Sequence, residues 1–447
     1  MRFRYALPAL LALLALTALP VWAADETAVP PQEHPVLYDI VDAVNIENLR
    51  ATERKLVSFH TRHTLSSQTS DSRGIGAASR WVKSRFEEIS EGCGGCLTII
   101  TPSQTFTGER SPKGVKVTDI VAIQRGTSDP GRYLVMTAHL DTRVNDVMDA
   151  KAFQPGADDD GSGIAALIET ARILSQYDFA ATIVYSADPG EEQGLYGGKI
   201  ISDYAAAHDW NVEANLNNDM IGNTFGSDGV RDNTTARIFS QAIKLNLTDE
   251  EMRSLRLTGG FVDSPSRQVA RYIKRLAEQY IPNFHFMLMY RRDRYNRGGD
   301  QIMFYKNGFP AVRINEAHEN WRHQHQYVRK ENGIQYGDLM KFVDFEYLGK
   351  MTAANAIALA SMAWAPAPPS GVEISGSLSP DTTVSWEALP AESNPQLAGY
   401  RIYWRRTSAP MWQHSRYVGN VTEFTLEDIV IDNWYFGVSA VSEKGFE

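Results

Sequence analysis

A chain of 447 residues, 43% hydrophobic and 22% charged, is long enough for two or three domains and has the composition of a globular protein. Its formal net charge of -10 argues against nucleic acid and anionic membrane surfaces as partners. Beyond the N-terminal segment no apolar run is long enough to span a bilayer.

Arg2 and Arg4 precede an apolar run from Leu7 to Leu19 interrupted by Pro8, and Val21-Trp22-Ala23 forms a small-x-small exit. These are the parts of a secretory signal, with cleavage expected after Ala23. Export then leaves a mature chain with no membrane anchor, in the periplasm or outside the cell. Loss of the two arginines takes the charge from -10 to about -12. Residues 24–45, with their prolines and acids, are expected to form a loose leader.

A larger domain is expected over 46–364. Helical spacing covers 46–59 and 74–90, and β-branched runs predict strands at 115–124 and 133–138. A helix is predicted at 164–177, a buried strand at 181–187, a helix at 197–208 and a strand at 212–216. Further on come a helix at 266–279, a strand at 284–290, a helix near Asp300, a strand at 311–314 and a closing helix over about 336–362. This alternation predicts an α/β fold with a mostly parallel central sheet and helices on both faces. Ligands in such folds sit beyond the carboxyl ends of the strands. Between the first two helices and the sheet, Cys93-Gly94-Gly95-Cys96 holds the only two cysteines. No second pair completes a structural zinc site, and an exported chain favours a short-loop disulfide.

Ala365-Pro366-Ala367-Pro368-Pro369-Ser370-Gly371 reads as a linker. After it the texture alternates with period two, in Thr383-Val384-Ser385-Trp386, Gly399 to Trp404 and Trp434 to Val441. A small β-sandwich is therefore expected over 372–447. In Trp386, Tyr400, Tyr435, Val438 and Ala440 it resembles a fibronectin type III module, which would need one more strand than the residues up to Glu447 supply.

The densest chemical signal is Gly156-Ala157-Asp158-Asp159-Asp160-Gly161-Ser162-Gly163, with His139-Leu140-Asp141 before it and Gly190-Glu191-Glu192 after it. Adjacent carboxylates repel, and such a cluster is costly unless a positive charge sits among them. A divalent metal supplies that charge, and histidine with carboxylates is a donor set that suits zinc. His139, Glu191, Glu192 and Asp219 all follow predicted strand ends. Asp141 fits a partner that fixes the ring of His139, and Asp160 fits the cap of the helix that follows.

The segments Thr137 to Asp141, Pro155 to Gly163, Gly190 to Leu195 and Leu216 to Met220 resemble the secreted bacterial dizinc aminopeptidases of the leucyl aminopeptidase type. Thr61-Arg62-His63, Gly298-Gly299-Asp300 and Gly308 to Val312 extend the resemblance over most of 46–364. It implies two zinc ions bridged by Asp159. His139 and Asp219 would complete one site. Glu192 and a late histidine would complete the other. His325 is the choice there, with His318 and His323 as alternatives. The resemblance also implies Glu191 as general base, with Asp141 in the catalytic apparatus, and a cis peptide between Asp159 and Asp160. The substrates would be peptides with a free N-terminus.

Asp300 is expected near the site. Arg291, Arg292, Arg294 and Arg297 fit either recognition of a carboxylate or ion pairs within a loop. Phe261, Tyr290, Tyr295 and Trp321 fit either a side-chain pocket or buried packing. The other functional readings are a zinc carboxypeptidase or amidase, a single-zinc glutaminyl cyclase type, and a non-catalytic binding protein carrying a relic of the metal domain.

Overall fold

In the computed structural model the described residues are 29–245, 247–392 and 394–447, so the expected signal over 1–23 lies outside them. The chain opens with α1 (Pro35–Asp42), α2 (Ile46–Ser58) and α3 (Gly74–Gly92). The Asn45 side chain caps α2 by accepting from the N–H groups of Glu47 and Asn48. Residues 35–42 correct the expectation of a loose leader. Leu37 and Ile40 are fully buried on one face of α1, and that apolar stripe, not composition, decides the outcome. The two cysteines form a disulfide just after α3.

There follow β1 (Leu97–Ile100), β2 (Ser103–Gly108), β3 (Ser111–Thr118), β4 (Ile120–Gln124) and β5 (Asp129–His139). The single strand expected over 115–124 is two strands. β3 pairs with β2 in a separate hairpin, while β4 enters the main sheet. The break falls at Asp119, a fully buried carboxylate. Then come α4 (Gly163–Leu174), β6 (Ala181–Asp188), α5 (Glu191–Gly194), α6 (Tyr196–Ala207), β7 (Asn211–Asn218) and β8 (Thr235–Ser240). Next are α7 (Asp249–Thr258), α8 (Pro265–Tyr280), β9 (His285–Met289), α9 (Gln301–Lys306) and β10 (Ala311–Glu316). A short hairpin, β11 (Arg329–Glu331) with β12 (Ile334–Tyr336), precedes α10 (Phe345–Trp364). The closing helix thus begins at Phe345, capped by Asp344, and not near Tyr336.

The central sheet has eight strands in the order β1-β4-β6-β5-β7-β10-β8-β9. β6, β5, β7 and β10 run parallel to their neighbours in that run, and β8 is parallel to β9. β6 is buried along its whole length, as a central parallel strand must be when helices cover both faces. One core lies against α3, α4, α8 and α10, and a second lies under α6 and α9 on the other face.

Beyond residue 365 lie β13 (Glu373–Ser375), β14 (Thr382–Ser385), β15 (Leu397–Arg406), β16 (His414–Gly419), β17 (Glu423–Leu426) and β18 (Trp434–Ser442). They form two antiparallel three-stranded sheets, β13-β14-β17 and β16-β15-β18. Val384, Trp386, Tyr400, Ile402, Leu426 and Ala440 are buried between them. This sandwich is docked firmly. Asp263 pairs with Arg271 of α8 at 2.7 Å and with Arg405 of β15 at 2.8 Å. Trp412 Nε1 donates to Gln268 at 3.1 Å. Phe446 stacks on His34 and packs against Trp364. Among the described residues no helix is long and apolar enough to cross a membrane.

Candidate metal centre

β6, β5 and β7 are adjacent and parallel, so their carboxyl ends emerge side by side. β5 ends on His139 and β7 on Asn218, one residue before Asp219. β6 ends on Asp188, and a tight turn starts α5 with Glu191 and Glu192. That turn needs Gly190, whose φ of 92° is costly for any residue with a Cβ. The aspartate triplet enters from the turn before α4, behind Gly156, where a Cβ would lie 2.2 Å from Thr142 Cγ2.

Among the described residues two groups of three bring ligand atoms within 4.8 Å of one another: His139, Asp159 and Asp219, and Asp159, Glu192 and His325. Asp159 belongs to both. Its Oδ1 lies 3.0 Å from His139 Nε2, which is 3.9 Å from Asp219 Oδ1. Its Oδ2 lies 2.9 Å from His325 Nε2, which is 2.8 Å from Glu192 Oε1. One carboxylate thus offers one oxygen to each of two imidazole–carboxylate pairs. Each group has the donor types that hold a zinc-like ion with a coordination position left open.

Backbone anchoring aims these side chains. Asp160, next to the bridging residue, accepts from His139 N at 3.0 Å, Gly163 N at 3.0 Å and Met220 N at 3.2 Å. The cap expected of it is present, and it ties down two further segments. Asp158 accepts from Gly222 N at 2.7 Å. The flanking aspartates therefore hold the backbone while Asp159 turns to His139 and His325, and the Asp159–Asp160 peptide is cis. Arg62, fully buried, donates to the carbonyls of Leu140, Pro155 and Gly156. Asp141 accepts from Glu191 N, Glu192 N and Thr64 Oγ1, and His139 Nδ1 lies 3.2 Å from its backbone carbonyl.

Electrostatics follow from this packing. Burial alone would raise Asp159, but His325 and His139 hold its carboxyl well below the usual range. Asp219 is also held low, because Arg313 at 2.6 Å and then His139 overcome its desolvation. Burial, with Glu192, Asp219 and Asp141 nearby, pushes Glu191 up to about 8 against the pull of His139. Glu191 thus stands beside the two ligand groups without belonging to either.

The remaining candidates separate clearly. His323 stacks on Phe342 at 3.7 Å and His318 pairs with Asp228 at 2.7 Å, so His325 is the late histidine that reaches the cluster. Asp300 is buried without a hydrogen-bond partner, beside Gly198 and close to Asp188. It is in neither metal group. Arg294 and Arg297 both pair with Glu319, at 3.3 and 2.6 Å, and Arg237 joins them. The ion-pair reading holds for those two, while Arg291 and Arg292 are exposed. Phe261, Tyr290, Tyr295 and Trp321 are all at least partly exposed, so burial is not their fate. Trp321 lies under Arg297 and Tyr290 under Arg267.

Sequence reasoning missed Arg143, Arg313 and Asp338. Arg143 Nε lies 3.1 Å from Glu192 Oε2, and its Nη2 lies 2.7 Å from His325 Nδ1. Its place two residues after Asp141 was the available signal. Arg313 alternates within a strand that otherwise reads as core, and its charge was a clue that a buried anion sits opposite.

Fold and site together define an α/β protein with metal-ligating side chains gathered at the carboxyl ends of its central parallel strands. Residues 119–330 match the sequence model of peptidase family M28. A probable zinc metalloprotease of Pyrenophora teres f. teres is 38% identical over 423 residues, covering 94% of this chain and 86% of the relative. One from Leptosphaeria maculans is 38% identical over 416 residues, covering 92% and 95%. The Legionella pneumophila LapA aminopeptidase has the same fold, with a TM-score of 0.55 at 19% identity over 75% of this chain and 77% of its own. The chain belongs to peptidase family M28.

Proposed function

We propose that this chain is an exported aminopeptidase that holds two zinc ions and releases N-terminal residues from peptides. The observation that carries the reading is the division of Asp159, with Oδ1 toward His139 and Oδ2 toward His325. His139, Asp159 and Asp219 would hold one ion, and Asp159, Glu192 and His325 the other. When bound, zinc supplies the Lewis acidity that acidifies a water and polarises a carbonyl. Glu191 accepts the proton of the attacking water and returns it to the leaving amine.

The carboxypeptidase reading is weaker, since Arg294 and Arg297 are spent on Glu319. Two complete donor groups favour two ions over the single-zinc cyclase type. Export rests on the N-terminal pattern and on the Cys93–Cys96 disulfide, and N-terminal sequencing of the mature protein is expected to begin at Ala24.

The deciding experiment combines metal analysis with matched peptides. Two zinc ions per chain and cleavage confined to unblocked N-termini are expected. Equal cleavage of N-acetylated peptides would overturn the aminopeptidase assignment.

A further inference from the structure

Three consecutive backbone N–H groups, those of Ala157, Asp158 and Asp159, point at one residue. Asp338 Oδ1 accepts from Asp158 N at 2.9 Å, and Oδ2 accepts from Asp158 N at 3.1 Å and Asp159 N at 2.8 Å. Its backbone carbonyl accepts from Ala157 N at 3.3 Å. These amides lie in the buried turn leading into α4, where an unpaired N–H is costly. The Asp338 carboxyl answers two of them and its backbone carbonyl the third, so none of the three is left unpaired.

Asp338 belongs to the same segment, between β10 and α10, that carries His325. The segment is closed on itself. Gly337 N donates to Arg322 O at 3.0 Å, and a Cβ on Gly337, at φ 103°, would lie 2.7 Å from Val328 Cγ2. Gln324 Nε2 also reaches Asp159 Oδ2, at 3.3 Å. One loop therefore holds Asp159 from two sides, its backbone through Asp338 and its carboxylate through His325 and Gln324.

We propose that Asp338 is a positioning residue that presets the bridging carboxylate for both metal ions, so that its loss weakens both together. This rests on the dizinc reading above. Asp338 touches neither group of ligand atoms, and nothing in its distant place in the chain, far from the triplet, signals the role. A displaced Asp159 backbone moves Oδ1 and Oδ2 together, so both sites are expected to respond.

The test uses the full chain, stripped of metal and titrated with zinc against a chromophoric chelator. For Asp338→Asn we expect about 10- to 100-fold weaker binding of both ions, with the folded fraction followed separately by thermal unfolding. Unchanged affinity in a folded variant would overturn the proposal, and so would weakening of one ion alone. A second measurement needs no variant. In the metal-free wild-type chain the amides of 157–159 are expected to resist hydrogen exchange as well as α4 does. Rapid exchange that slows only on zinc addition would overturn the proposal. Fewer than two zinc ions in the wild type would refute the dizinc reading, while the exchange result would still report on Asp338.

Discussion

Asp141 Oδ1 accepts the backbone N–H of Glu191 at 3.1 Å, and its Oδ2 accepts that of Glu192 at 3.2 Å. One buried carboxylate thus anchors the start of α5, where Glu191 and Glu192 stand side by side, to the loop that follows His139. The His139 ring rests on the backbone carbonyl of the same residue. The places of Glu191, Glu192 and the His139 ring are set by a single short segment, the kind of support the proposed metal site would require.

Glu191 lies outside both ligand groups. Glu191→Gln is expected to lower kcat by about 10²–10⁴-fold while zinc content stays at the wild-type value. Parallel kinetics and metal analysis check this, and loss of zinc in that variant would show Glu191 to be a ligand.

Zinc binding is expected to release protons. Burial opposes a charged ring at His325, but Glu192 and Asp159 outweigh it and lift the group to about 9. His139 is raised well above its ordinary value by Asp141, Asp159 and Asp219, again against its burial. Both shifts favour a charged ring in the metal-free protein, and a ring must be neutral to ligate. Protons should therefore be released on loading, and affinity should fall as pH falls. An unbuffered zinc titration in a pH-stat measures this, and affinity independent of pH would contradict it.

Asp119, Asp188 and Asp300 are fully buried. Burial pushes Asp119 well above its ordinary range, and the other two carboxylates add to the shift. A raised carboxyl contributes its stability below the unfolded value near 3.8 and loses it as pH rises through the folded value. The loss amounts to at most ~1.4 kcal/mol per pH unit in that window. Asp119→Asn should therefore gain more in Tm over wild type at pH 8 than at pH 5. Equal gains at the two pH values would count against a titrating Asp119.

Asp263 is the carboxylate shared by Arg271 and Arg405, both nearly fully buried. Asp263→Ala leaves two guanidiniums without their anion and is expected to cost about 3 kcal/mol. Below its lowered Tm, kcat/KM should match wild type, since no contact of Asp263 reaches the ligand groups. Truncation after Ala365 should also lower Tm, because it removes Phe446 from between His34 and Trp364. Calorimetry on the two variants checks both.

Much of the α/β order and the ligand types was legible in the chain because both are local properties. Runs such as Ala181 to Ala187 state their own burial, and a turn rich in glycine and acid after such a run states where chemistry sits. Local reading failed where partners decide. The stripe on Pro35–Asp42 means nothing until α10 and α8 cover it, and the β-branched run over 115–124 is split because β3 pairs away with β2 while β4 enters the main sheet.

By itself, the sequence determined the residue types at the strand ends and hence the class of chemistry they perform. The tertiary structure alone decided that His325 and not His318 or His323 reaches the cluster, that Asp158 and Asp160 grip backbone while Asp159 meets His139 and His325, and that Asp338 holds that turn. The reason is physical: coordination depends on where side-chain atoms meet to within an ångström or so, and that follows from how the sheet, α4 and the segment before α10 close on one another, a geometry no local pattern encodes.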